Sequence, residues 1–254
     1  MTMQLPVRLP PVYEPMLLAA ADDAFTEARR RALEGAPEGT LVWLAHAAQP
    51  TGQSGAPWRT AAGGLHAALV LRPDFPLARA GELGPLACVA LGAAVAELSA
   101  PMTVLGYRWP NDLWLGSGKV AGFRLEAGQA DGQEPWLVLG LNANVAATPE
   151  TEHASSLAEQ GHSPASPGEL LESFCRHFLD WINLWAEQGF GPVHRAFTRR
   201  LQGLGEPVRL ALPGETLQAT VEALAEDGSL VVAGLQGRRT VTLAEFFRIE
   251  AGPR

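Results

Sequence analysis

Lys119 is the single lysine among nineteen basic residues; every other one is arginine. It lies within residues 108–126, RWPNDLWLGSGKVAGFRLE, with Asn111 and Asp112 just upstream. Arginine presents a planar fork that stays charged, whereas lysine is a compact charge on a flexible stem. An ammonium, a carboxamide and a carboxylate held together suit a site that handles a phosphate and a divalent metal. That chemistry requires the three to be neighbours in space, and the local pattern supplies the means. Residues 112–116 (DLWLG) alternate as a strand, Ser117-Gly118 reads as a two-residue turn, and residues 120–126 read as the return strand. Lys119 then begins the return strand with Asn111 and Asp112 across the hairpin. Pro110 keeps Trp109 out of helical space, so residues 109–111 form a loop before it.

The remaining elements must hold this hairpin. Residues 1–16 are proline-rich and read as an extended arm. Residues 22–34 predict a helix, with Asp22 or Asp23 as cap, Phe25, Ala28, Ala32 and Leu33 near one face, and Gly35 as its end. Residues 40–46, 65–72 and 135–142 are apolar runs that predict buried strands, and residues 104–109 lead into the hairpin. The strand at 135–142 is reached through an Asp131-Gly132 turn and breaks off in Asn142-Ala143-Asn144. Between the first two strands runs a long polar loop, residues 47–64, of a length usual for functional segments. Trp58 and Arg59 are its bulky members. Trp58 either packs over a ligand or pins the loop to the core. Residues 83–98 predict an apolar core helix and residues 168–188 an amphipathic one, with Leu170, Leu171, Phe174, Phe178, Trp181, Ile182 and Trp185 as a core face. A shorter helix is expected at 192–201. From Glu206 onward, short alternating runs separated by Pro213-Gly214, Asp227-Gly228 and Gln236-Gly237 predict a small antiparallel barrel.

Composition narrows the classes. A chain of 254 residues can bury a substantial core, as one large domain or as one domain plus a small module. A formal charge of −8 argues against a general nucleic-acid binder. Cys88 and Cys175 lack metal or redox spacing and read as reduced thiols. The first residues carry no basic region followed by an apolar run, so no secretory signal is expected. The helix at 83–98 is too short and too rich in Ala and Gly to span a bilayer. A cytoplasmic protein without a membrane partner is the expectation.

These residues together resemble a family, the biotin protein ligases of the biotin/lipoate ligase superfamily. Arg108-Trp109-Pro110-Asn111-Asp112, then Gly118-Lys119-Val120-Ala121-Gly122 with a strand ending at Glu126, is similar to that family's central motif. Gly140-Leu141-Asn142-Ala143-Asn144 is similar to its Gly-Ile-Asn-Val-Asn segment. The resemblance spans roughly residues 20–250. It implies an α/β fold in which a mixed sheet is flanked by helices, with a small C-terminal SH3-like β-barrel. With the boundary set near Gly203 by the shift to short alternating runs, the division is an arm at 1–20, a catalytic-type domain at 21–203 and the barrel at 204–254. It implies ATP, Mg²⁺ and biotin as ligands, with biotinyl-AMP formed first and the biotinyl group then passed to a lysine on a carrier protein. Lys119 matches the lysine that bridges carboxylate and phosphate. Asn111, Asp112, Asn142 and Trp58 match the nucleotide side, with Asp112 near the Mg²⁺. Gly122, Gly140 and Gln49 match the acid side. A homodimer is also within what the resemblance implies.

Several positions depart from the family. Its covering loop is rich in Gly and Arg; here residues 50–58, PTGQSGAPW, keep glycines and the tryptophan and no arginine. The Ser-Thr-Asn that opens its first helix is replaced around Ala21-Asp22-Asp23. Val138 stands where a glycine is common. Arg124 stands where the family has an aliphatic residue. Strand alternation puts Gly122, Arg124 and Glu126 on one face and Ala121, Phe123 and Leu125 on the other. Arg124 therefore either brings to the pocket the charge that the loop has lost, or reads a different acid, or twists out to solvent. Residues 1–20 are too short and proline-rich for the helix-turn-helix of the repressor members, so DNA binding is not expected. Lipoate or octanoate ligation, and a non-catalytic relative that binds an acyl group or nucleotide, remain as alternatives.

Overall fold

The structure is a computed structural model that describes residues 7–98, 104–129, 134–161 and 166–249. The turn expected at Asp131-Gly132 lies outside the described residues. The larger part contains β1 (Glu14–Leu18), α1 (Ala24–Leu33), β2 (Thr40–Leu44), β3 (Leu65–Leu71), α2 (Leu83–Glu97), β4 (Leu105–Arg108), β5 (Asp112–Leu115), β6 (Gly118–Gly128), β7 (Trp136–Ala143), α3 (Pro167–Gln188) and α4 (Gly191–Thr198). The strands form one mixed sheet in the order β1-β2-β3-β7-β6-β5-β4. β1 and β2 are parallel, and every other neighbouring pair is antiparallel.

The central strands are apolar on both faces because both faces are covered. On one face α2 and α3 pack over the odd-numbered side chains of β6, with Phe123 against Phe174 at 5.7 Å between ring centroids. On the other face α1 lays Phe25, Ala28 and Ala32 against Val42, Ala68, Val70 and Val138. Val138 is thus a core residue under α1. Asp23 starts α1 by accepting a hydrogen bond from the Phe25 amide at 3.1 Å. α1 covers only the β2–β3–β7 part of its face and leaves the sheet open toward Gly122 and Lys119. That opening is where the site forms.

α3 is fixed at its start by a reciprocal cap. The Ser166 hydroxyl accepts from the Glu169 amide at 3.2 Å, and the Glu169 carboxylate accepts from the Ser166 amide at 2.7 Å. Ser166→Ala is expected to lower stability by about 1 kcal/mol and Ser166→Gly by only a few tenths. Urea midpoints at constant m-value would check this; equal losses in both variants would contradict the cap's role.

The C-terminal part is an antiparallel meander of β8 (Pro207–Leu212), β9 (Glu215–Leu224), β10 (Leu230–Gly234) and β11 (Gly237–Val241), closed by α5 (Leu243–Phe247). It docks through the loop before the central hairpin. The Trp109 indole donates to the Gly228 carbonyl at 2.8 Å and meets Phe246 edge-on at 5.0 Å. Phe247 occupies the space that a side chain at Gly84 of α2 would need, since a Cβ there would lie 2.3 Å from its ring.

Three expectations are corrected. The arm read at 1–16 ends in β1, an edge strand whose register with β2 runs from Glu14 opposite Thr40 to Leu18 opposite Leu44. The hairpin turn falls on Gly116-Ser117, because Leu115 pairs with Gly118 and Gly116 takes the left-handed conformation at φ +56°. The helix at 83–97 is preceded by a 3₁₀ segment, Leu77–Glu82, so that Leu77–Glu97 is long and apolar enough to cross a membrane by composition. Most of that stretch is buried inside the fold, as a core helix is.

Candidate functional site

The β5–β6 hairpin sets the geometry. A register shift between Leu113 and Trp114 places Trp114 opposite Lys119 and Leu113 opposite Ala121. Lys119 then reaches back over the sheet to Asp112, with Nζ 2.7 Å from Oδ1. Both side chains are partly exposed, so the pair adds little to stability. Gly122 lies directly beneath them. A Cβ there would sit 3.0 Å from Asp112 Oδ1, 3.1 Å from Trp58 Cζ3 and 3.2 Å from Lys119 Cε. Glycine at this position is what lets ammonium, carboxylate and indole converge.

Trp58 closes the site from above. Its ring centroid is 5.0 Å from Lys119 Nζ, a cation–π contact. Its buried Nε1 has no hydrogen-bond partner among the described residues. The loop that carries it is folded on itself: the Trp58 amide donates to the Pro50 carbonyl at 2.7 Å, and Thr51 bridges to Pro57. It is also tied to the sheet. Gln53 Oε1 accepts from the Leu125 amide at 2.7 Å, at a point where β5 has ended and the outer edge of β6 is free.

The segment after β7 holds Lys119 from its other side. The Lys119 amide donates to the His153 carbonyl at 2.6 Å, and the Ser155 amide donates to the Lys119 carbonyl at 3.0 Å. Between this segment and the loop is a cavity of about 220 Å³ that includes Trp58, Arg59, Lys119, Asn144 and His153 in its lining. In the sequence, residues 146–167 are polar and show no regular periodicity around this segment. Its pairing with Lys119 spans more than thirty residues and leaves no local pattern.

The asparagines are held by the protein. Asn111 Nδ2 donates to the Phe123 carbonyl at 2.5 Å, which locks the loop before β5 onto β6. Asn142 Nδ2 faces the Thr51 carbonyl at 3.4 Å, so its Oδ1, 2.7 Å from His66 Nδ1, accepts from the Nδ1–H tautomer. Burial pushes the His66 imidazole below its ordinary value of 6.5, opposed by the Asn142 bond and by Asp23. Neutral His66 therefore contributes stability at and above that value, and the contribution is lost as pH falls below it. The thermal midpoint is expected to drop between pH 7 and pH 5, with a smaller drop in His66→Gln. Calorimetric midpoints at both pH values would test this, and an unchanged pH slope in the variant would contradict it.

On the acid side the structure brings some residues together and not others. Gly122 and Arg124 lie on the same face of β6, and Arg124 turns toward the loop and α1. Gly140 is opposite Arg124 on β7, but Phe25 covers it, since a Cβ there would lie 2.8 Å from Phe25 Cδ2. Gly140 makes room for that ring, and the structure does not bring it to the open groove. Gln49 is exposed, held through its amide to the Asp22 carbonyl at 2.8 Å, and is likewise not drawn in. Asp23 and Thr51, absent from the sequence-based site, are drawn in, and only their contacts across the fold reveal them. Among the described residues no three His, Cys, Asp or Glu side chains converge as a metal cage. The donor set fits a Mg²⁺ ion that rests on Asp112 and on a ligand's own phosphates.

The model of the biotin/lipoate A/B protein ligase family matches residues 9–199, and that of the biotin protein ligase C-terminal domain matches residues 203–248. The chain belongs to the biotin/lipoate A/B protein ligase family. It is 30% identical over 204 residues to a biotin–[acetyl-CoA-carboxylase] ligase of Paracoccus denitrificans, covering 77% of this chain and 85% of that protein. Among solved structures it resembles a biotin protein ligase-like protein of unknown function from Silicibacter sp. TM1040, with a TM-score of 0.75, 25% identity and coverage of 93% and 97%. The biotin protein ligase of Aquifex aeolicus in complex with biotin and ATP shares the fold, with a TM-score of 0.70 at 20% identity and coverage of 91% and 96%. The loop over the site, residues 50–58, is pinned in this chain through Thr51 and Gln53 and contains no arginine.

Proposed function

We propose that this chain is an ATP-dependent ligase that activates biotin as biotinyl-AMP and transfers the biotinyl group to a lysine of a carrier protein. The observation that carries this reading is the Lys119–Asp112 pair, 2.7 Å apart over Gly122 and beneath Trp58. Adenylation brings two anions together. A carboxylate oxygen of the acid attacks the α-phosphorus of ATP, and the bond to the β-phosphate oxygen breaks, releasing pyrophosphate. A cation at that junction offsets the repulsion and stabilises the charge that develops on the phosphoryl oxygens. Lys119 is that cation, and its neighbour Asp112 holds the ammonium in place over Gly122. In the second step the acceptor amine attacks the acyl carbon and AMP leaves. Mg²⁺, when bound at Asp112, would neutralise phosphate charge. Trp58 shields the junction from water, and the cavity between it and His153 supports a nucleotide site beside Lys119.

The Paracoccus denitrificans relative named as a biotin–[acetyl-CoA-carboxylase] ligase supports biotin as the acid and a carboxylase carrier as the acceptor. Lipoate and octanoate would pass through the same chemistry and differ only at the far end of the pocket. The test is pyrophosphate release with ATP and Mg²⁺ against biotin, lipoate, octanoate and no acid. Release above the blank is expected with biotin. Acid-independent release, or none with any acid, would overturn the proposal.

A further inference from the structure

Three side chains from distant parts of the chain meet at Arg124, two residues beyond Gly122 on the same face of β6. Arg124 Nη1 donates to Thr51 Oγ1 at 2.5 Å and lies 3.5 Å from Asp23 Oδ2. The Thr51 hydroxyl donates to Asp23 Oδ2 at 2.9 Å. Asp23 is already occupied on both oxygens, since Oδ1 takes the Phe25 amide and Oδ2 also takes the Thr26 hydroxyl at 3.4 Å. It is 4% exposed and works as an internal counter-charge. The Arg124 plane rests on the Phe25 ring, with Cζ 3.9 Å from the ring centroid. A guanidinium has five N–H groups. Among the described residues Arg124 bonds through Nη1 alone, and the donors on Nε and Nη2 remain unused. Burial pushes Arg124 below the ordinary arginine range, with Asp23 and Glu126 opposing.

Gly122 and Arg124 are successive positions on one face of a strand, about 7 Å apart. An acid whose carboxylate sits at Lys119 therefore brings its other end to Arg124. An alkyl end there would strip water from unused donors and give nothing back, which a site of this kind rejects. A second carboxylate would face Asp23 across the same guanidinium. A neutral carbonyl oxygen suits both constraints. We infer that Arg124, aligned by Asp23 and Thr51, is the specificity-determining residue of the acid pocket and selects acids whose far end is a neutral carbonyl acceptor, such as a cyclic urea, over acids with an alkyl end. This rests on the placement of the acid carboxylate at Lys119 proposed above.

Calorimetric binding of biotin, desthiobiotin and octanoate to the whole chain, without ATP, tests it. Both urea acids should bind alike, with octanoate at least about tenfold weaker. Arg124→Leu should weaken both urea acids by about tenfold or more and leave octanoate within about threefold. Thr51→Val, which keeps the charge and removes the aligning hydroxyl, should move the same way by a smaller factor, and it decides the matter if Arg124→Leu does not unfold cooperatively. Octanoate binding as tightly as biotin, loss of all three acids together, no change in either variant, or no binding of any acid would overturn the inference. Selective binding without pyrophosphate release would sink the ligase reading and leave the inference standing. Release that is equal with all acids would do the reverse.

Discussion

Acid-dependent pyrophosphate release in the Lys119→Ala protein is expected to fall by about 100- to 1,000-fold or more. The fold should persist, because the Lys119 side chain is about one-third exposed and its ion pair is partly solvated. Its backbone, held between His153 and Ser155, is untouched by the change. Lys119→Arg should recover little of the activity. A guanidinium is larger and flatter than an ammonium, and the space over Gly122 is already bounded by Asp112 and Trp58. Single-turnover measurements would separate the steps: adenylate formation should be lost, while the unfolding midpoint stays near that of the unaltered protein. Full adenylation in Lys119→Ala would place the chemistry elsewhere.

Gly122→Val should have an effect of similar size by a different route. Its Cβ would enter a space where the nearest atoms are the Asp112 carboxylate, the Trp58 ring and the Lys119 stem, all within 3.2 Å. The added methyls would push the ammonium off the position where carboxylate and phosphate meet, and displacements near 1 Å can cost about 100-fold in rate. β6 itself accepts valine as a β-branched residue, so loss of activity without loss of the cooperative thermal transition is the expected pattern. Activity near that of the unaltered protein would mean that the acid does not cross Gly122.

How legible this was from the sequence depended on how local each contact is. The Lys119–Asp112 pair could be read because a hairpin brings residues seven apart to the same place. The turn was read one residue late, because Gly116 rather than Gly118 takes the left-handed position. α3 was legible from its apolar stripe. β1 was not, because Pro10, Pro11 and Pro15 obscure a short strand whose partner lies beyond a helix. The Asp23–Thr51–Arg124 cluster joins residues 28 and 101 apart, and nothing in the local pattern announces it. Alternation did place Arg124 on the face of Gly122, but only the fold shows which groups it meets there. The resemblance put Gly140 in the site as well, and the Phe25 ring, brought in by α1, fills that space. Trp109, in the middle of the central motif, anchors the C-terminal meander through Gly228 and Phe246.

The most direct measurement is native mass spectrometry of the protein after incubation with biotin, ATP and Mg²⁺. The wild-type chain should carry one added mass equal to biotinyl-AMP, and Lys119→Ala should carry none. A wild-type chain that holds only ATP, only biotin or neither would contradict adenylate formation at Lys119.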